Sequence, residues 1–172
     1  AGDGAVAVIA GPGTGKTRTL VSRIVRLVRE CGVSPSQITA VTFTNRAANE
    51  MHTRLDAALG DKRAARAMHI GTFHSICLKL LAGQKSPEIL DRQDALSVLA
   101  DILDDLDSKA APKDVLKTIS LVKSGALPAE EADLPENVYD RYCARLSQYG
   151  ALDYDDILLK ALALFEDGAL TD

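Results

Sequence analysis

The feature that most constrains this chain is a run of eight residues near its start: Ala10, Gly11, Pro12, Gly13, Thr14, Gly15, Lys16 and Thr17. Small residues at these positions let a backbone curl until its N–H groups point inward, a geometry that suits phosphate oxygens. Before the loop stands a short apolar stretch, residues 5–10, of the kind that forms a strand buried on both faces of a parallel sheet. After it, Leu20, Val21, Ile24, Val25, Leu27 and Val28 recur at helical spacing among Ser22, Arg23, Arg26 and Arg29, and Gly32 stands just beyond as a stop. Strand, glycine loop and helix in that order match the P-loop pattern, with Ala10 in the slot where glycine is usual. The competing reading, a glycine-rich turn with a chance Lys-Thr pair, does not account for the flanking elements. The chemistry then falls on particular residues. The helix start adds partial positive charge, Lys16 an ammonium for the β- and γ-phosphates, and Thr17 a hydroxyl for magnesium.

The pattern continues for about seventy residues. Residues 38–43 are rich in β-branched side chains and read as a second strand. Residues 45–59 are helical, with Ala48, Met51, Leu55 and Leu59 on one face, and residues 68–73 read as a third strand followed by a helix through Leu81. Alternating strands and helices predict a parallel α/β architecture. After Gly83 only helical periodicity remains: Leu96, Leu99, Leu103 and Leu106; then Val115, Ile119 and Val122; then Val138, Tyr142, Leu146 and Tyr149; then Ile157, Leu158, Ala161, Leu162 and Phe165. Pro112, Pro128 and Pro135 fall between these stripes, where they open or break helices. The predicted organisation is an α/β lobe that carries the P-loop and a helical lobe, divided at residues 83–87.

Charge divides along the same line. Residues 1–85 hold 12 Lys/Arg against 5 Asp/Glu, and residues 86–172 hold 8 against 19. Polyanion contact, if any, is therefore expected on the first half alone, although on charge alone solvated helix faces are the simpler reading of the asymmetry. No apolar run approaches the roughly 20 residues that span a bilayer, and no signal peptide is visible. Cys31, Cys77 and Cys143 are odd in number and far apart, so they read as buried free thiols of a reducing compartment such as the cytoplasm. His69 and His74 straddle a strand–helix junction and make a poor metal pair. The Asp153–Asp156 cluster reads as an N-cap at Asp153 with acidic first-turn residues, not as a metal site.

Three blocks taken together resemble the UvrD/Rep-like superfamily 1 DNA helicases. They are residues 10–20, residues 40–48 (Ala-Val-Thr-Phe-Thr-Asn-Arg-Ala-Ala) and residues 71–75 (Gly-Thr-Phe-His-Ser). Ile119, Ser120 and Lys123, together with residues 152–158, resemble segments of that family's helical subdomain 1B and its return to the motor core. The resemblance implies a partial RecA-like P-loop NTPase sheet, a P-loop core over residues 1–83, with an appended all-helical subdomain over 84–150 and a helix over 151–172 returning toward the motor core. It implies an ATP- and magnesium-dependent motor moving 3′ to 5′ on single-stranded DNA. On it, Ala10 to Thr17 with Arg18 hold ATP, Lys16 and Thr17 are the catalytic pair, and Thr17 carries the metal. Phe43, Thr44, Asn45, Arg46, Thr72, Phe73 and His74 lie by the DNA strand. Arg46 stands where lysine is common. The acidic motif expected after Asp172, the adenine motif expected before Ala1, the second motor domain and its arginine fingers are not in the sequence. A fragment that binds ATP and DNA without coupling them is therefore expected, with the remaining motor domains of its parent as partners. The alternatives are the motor of a recombination helicase–nuclease, a small P-loop phosphotransferase, or a non-catalytic DNA-binding module.

Overall fold

The computed structural model describes residues 4–11, 13–82 and 87–168, and the chain divides into two compact units, residues 1–76 and 77–172. The first is built on two parallel strands, β1 (Thr39–Thr42) and β2 (His69–Thr72), in register from Thr39 opposite His69 to Thr42 opposite Thr72. Around them stand α1 (Lys16–Arg29), α2 (Asn45–Leu59) and the short α3 (Lys62–Ala67), while α4 (Phe73–Leu81) begins directly at the end of β2. Local chemistry fixes the ends of α2. The Thr44 hydroxyl accepts the Ala47 N–H at 3.1 Å, Gly60 takes a left-handed turn at the other end, and Arg29 Nη2 donates to the terminal Leu59 carbonyl at 3.0 Å. Val21, Ile24, Ala40, Ala48, Met51, Leu55, Ala65 and Ile70 form the core.

Two expectations fail here. Residues 5–10 are not a strand: among the described residues the sheet of this unit contains β1 and β2 alone. Val6 and Val8 are exposed, and Ile9 is 99% exposed. A run apolar on both faces becomes a strand only where neighbours pair its backbone and cover both sides, and no described segment does so. The helix α3 was not foreseen, because its short Ala-rich run has no apolar stripe; Ala65 nevertheless packs with no exposed surface.

In the second unit α5 (Arg92–Asp105), α6 (Pro112–Lys123), α7 (Val138–Tyr149) and α8 (Tyr154–Glu166) contribute a core containing Leu99, Ile102, Ile119, Val138 and Tyr142. Pro112 opens α6 at its first turn, as its position between stripes predicted. A two-residue parallel pair, β3 (Glu88–Ile89) with β4 (Ala151–Leu152), breaks the all-helical expectation. Such a pair is too short to leave a period in the sequence. The last stripe is only half correct: Ile157 and Ala161 are buried, whereas Leu162 and Phe165 are exposed. Cys31 is exposed, contrary to its expected burial, and all three thiols are free.

Candidate functional site

The glycine loop leads directly into helix α1, whose first residue is Lys16. Gly13 (φ 76°) and Gly15 (φ 92°) both occupy the left-handed region, which lets the chain reverse into α1. Lys16 Nζ folds back over the loop and donates to the carbonyls of Ala10 at 3.0 Å and Gly11 at 2.7 Å, and Thr14 Oγ1 braces the same Gly11 carbonyl at 2.7 Å. Helix α1 has no side-chain cap and no acidic residue in its first turn. Its leading N–H groups thus meet no side-chain acceptor, and an anion is the chemical complement of such a helix start. Thr17 is half-buried and Arg18 exposed on that turn. Beside it lies a cavity of about 380 Å³ lined by Val6, Val8, Lys16, Thr19, Leu20 and Arg23. Pro12 lies outside the described residues.

A second constellation forms at the carboxyl edge of the two strands. Thr42 and Thr72 are register partners, so Phe43 and Phe73, each one residue further on, leave the sheet side by side. Phe43 is 96% and Phe73 58% exposed. They are the only Phe, Tyr or Trp residues among the first 81, and neither is one of the buried core residues of this unit. Around them Thr44 caps α2, and Asn45 and the exposed Arg46 begin that helix. Thr72 Oγ1 accepts the Ser75 N–H at 3.3 Å while Ser75 Oγ donates to the Thr72 carbonyl at 2.9 Å. His74 is half-buried on α4. A Cβ at Gly71 would overlap Ser75 Oγ, so a side chain there would turn that hydroxyl off the Thr72 carbonyl. Strand pairing thus joins residues 43–46 to residues 72–74, but it does not tie the phosphate loop to that edge.

A third cluster escaped the sequence reading. In the second unit Lys123 Nζ donates to Asp153 Oδ2 at 2.8 Å and Asp156 Oδ1 at 2.7 Å, with only 2% of the lysine side chain exposed. Tyr142 donates to the same Asp153 oxygen at 3.1 Å and lies beneath the ammonium. Asp153 Oδ1 accepts the Asp156 N–H at 2.9 Å, so the expected N-cap is present. The available signal was the spacing of Lys123, four residues beyond Ile119 and eight beyond Val115 on the buried stripe.

This cluster has a pH signature. Burial alone lowers the Lys123 ammonium, but the hydrogen bonds and charges of Asp153 and Asp156 together outweigh it and hold the pKa above the ordinary lysine value. Burial, then Asp153, raises the Tyr142 hydroxyl. Both groups keep their protons in the folded state beyond the pH, about 10, at which the unfolded chain releases them. Their contribution is complete below that pH and lost as pH rises through the folded values. Thermal melts followed by circular dichroism should therefore show the second unit weakening above about pH 10, by up to about 1.4 kcal/mol per pH unit for each proton. Tyr142→Phe should make that decline shallower.

A phosphate-type loop opening an amphipathic helix, set beside parallel strands, defines a P-loop protein of mixed α/β build. The chain belongs to the family described as the UvrD/REP helicase N-terminal domain, which matches residues 1–171. Among its relatives are the ATP-dependent DNA helicase PcrA of Staphylococcus epidermidis (strain ATCC 12228), 36% identical over 183 residues, and that of Staphylococcus aureus (strain NCTC 8325), 35% identical. Each alignment covers 95% of this chain and 25% of the relative, so the chain spans a quarter of the length of the curated relatives it matches. Among the described residues no helix is long and apolar enough to cross a membrane.

Proposed function

We propose that the chain is the ATP-binding N-terminal portion of a 3′–5′ DNA helicase, built on a partial RecA-like core and working in the cytoplasm. In the intact protein it would couple ATP hydrolysis to movement along single-stranded DNA. The loop of residues 10–17, with Arg18, would take the ATP phosphates. Lys16 would neutralise β- and γ-oxygens and Thr17 would ligate magnesium, which supplies charge neutralisation at the transferred phosphoryl group. Binding phosphate does not by itself stabilise a transition state. Positioning of the attacking water and the arginine contacts would therefore come from the remaining motor domains, and this chain alone would turn over little ATP.

The observation that carries the DNA half of the reading is the pair of exposed rings, Phe43 and Phe73, at adjacent strand ends. Single-stranded DNA is held by aromatic faces for its bases and by cations and helix-start N–H groups for its phosphates. Residues 43–46 and 72–74 bring these together. The two contributions separate in a salt series with labelled oligothymidine, read by fluorescence anisotropy. Phe73→Ala should cost about 1–3 kcal/mol at every salt concentration. Arg46→Ala should reduce the log–log salt slope by about 0.7, the share of one phosphate on a single strand. Unchanged binding in both variants would remove the DNA site from this edge.

A further inference from the structure

The first unit carries a second basic surface that the strand-edge site does not use. Helix α3 presents Lys62, Arg63 and Arg66 to solvent, all exposed, while Ala65, off that arc, is fully buried. At helical spacing the three cations share one face. None of them forms an ion pair within the described residues; the first unit's ion pairs are Arg26 with Glu30 and Arg54 with Glu50. The adjacent acid, Asp61, is committed to the Arg63 N–H at 2.8 Å. Asp56 is half-buried on α2, and His69 is exposed at the start of β2.

Topology separates this face from the aromatic edge. Helix α2 starts at the carboxyl edge with Asn45 and runs 15 residues away from it, about 22 Å at helical rise. α3 follows within three residues and leads into the amino end of β2, where the His69 N–H meets the Ile38 carbonyl at 2.9 Å. The chemistry differs as well. Residues 60–69 contain no Phe, Tyr or Trp, so this surface offers charge without a stacking platform. Stacking platforms mark single-strand sites, whereas backbone-only contact is how proteins hold duplex phosphates irrespective of sequence.

We infer that the Lys62, Arg63 and Arg66 face of α3 is a contact for the phosphate backbone of duplex DNA, distinct from the Phe43 and Phe73 edge. The inference rests on the reading of this chain as part of a DNA-acting protein. It assigns the two edges of the sheet to the two forms of DNA. The test uses this chain with two labelled probes, a blunt duplex and an oligothymidine, in anisotropy titrations across a salt series. Replacing Lys62, Arg63 and Arg66 together with Ala, a strong helix former, should lower the duplex salt slope by up to about 2.7, at about 0.9 per phosphate. Oligothymidine affinity should stay within about twofold. Arg63→Lys with Arg66→Lys keeps the charge and should keep the duplex slope. Three results would overturn the inference: duplex binding unchanged in the Ala variant, an equal loss for both probes, or displacement of duplex by polyglutamate as readily as by unlabelled duplex. The last would make the face a docking surface for acidic protein. Failure of the strand-edge site would appear separately, as oligothymidine binding insensitive to Phe73→Ala.

Discussion

Lys123→Ala is expected to cost the second unit about 3–5 kcal/mol, the usual penalty for removing one partner of a buried ion pair. The ammonium is the cation facing both Asp153, whose side chain is 7% exposed, and Asp156. Without it two carboxylates share one buried position, and the Tyr142 hydroxyl alone remains on Asp153 Oδ2. Against the 5–15 kcal/mol that holds a typical domain folded, this is enough to leave a large unfolded fraction at physiological temperature. The repulsion is the cause, not the lost methylenes. Lys123→Met, which retains the volume, should therefore be nearly as damaging. Adding Asp153→Asn and Asp156→Asn to Lys123→Met should recover much of the loss, because asparagine still caps a helix and no buried charge remains. Urea denaturation followed by circular dichroism reads all three. A single variant within about 1 kcal/mol of the parent would show that water reaches this cluster.

The second large effect concerns nucleotide. Lys16→Ala removes a charge-assisted hydrogen-bond donor, worth about 1.5–3 kcal/mol, and should weaken magnesium-nucleotide binding about ten- to a hundredfold. The stability of the chain should hardly change. Lys16 Nζ is exposed and, among the described residues, bonds only to loop carbonyls, which water can satisfy in its place. That split, affinity lost and folding kept, distinguishes a phosphate ligand from a structural lysine. A fluorescent-nucleotide titration with a parallel melt measures both, and equal affinity in parent and variant would exclude Lys16 from the site.

The contrast between these two lysines shows what the sequence could convey. Lys16 is legible because its neighbours are constrained by backbone geometry: glycines that must turn, then a helix that must start. Lys123 is illegible because its partners Asp153 and Asp156 lie 30 and 33 residues away, and nothing local records a pairing at that distance. The helix over 45–59 was readable to the residue because its period, its Thr44 cap and Gly60 agree. Residues 5–10 misled because an apolar run specifies burial only where neighbouring strands exist to provide it. Phe43 and Phe73 were ambiguous as isolated residues, since an aromatic at a strand end packs inward or outward according to its surroundings. Both rings are exposed, and the register sets them at neighbouring strand ends.

The parallel pairing of β3 with β4 carries a consequence for how such a protein is assembled. Glu88 faces Ala151 and Ile89 faces Leu152, so the chain enters and leaves the α5–α7 bundle through one doorway. A segment whose two ends meet can be lengthened at its loops without stretching what it is attached to, but its removal would take Lys123 and Tyr142 from Asp153. The helices between can form from contacts close in sequence, whereas the doorway must wait for residues more than sixty positions apart to find each other. The bundle is thus closed at its base both by the β3–β4 pair and by the bonds of Lys123 and Tyr142 to Asp153.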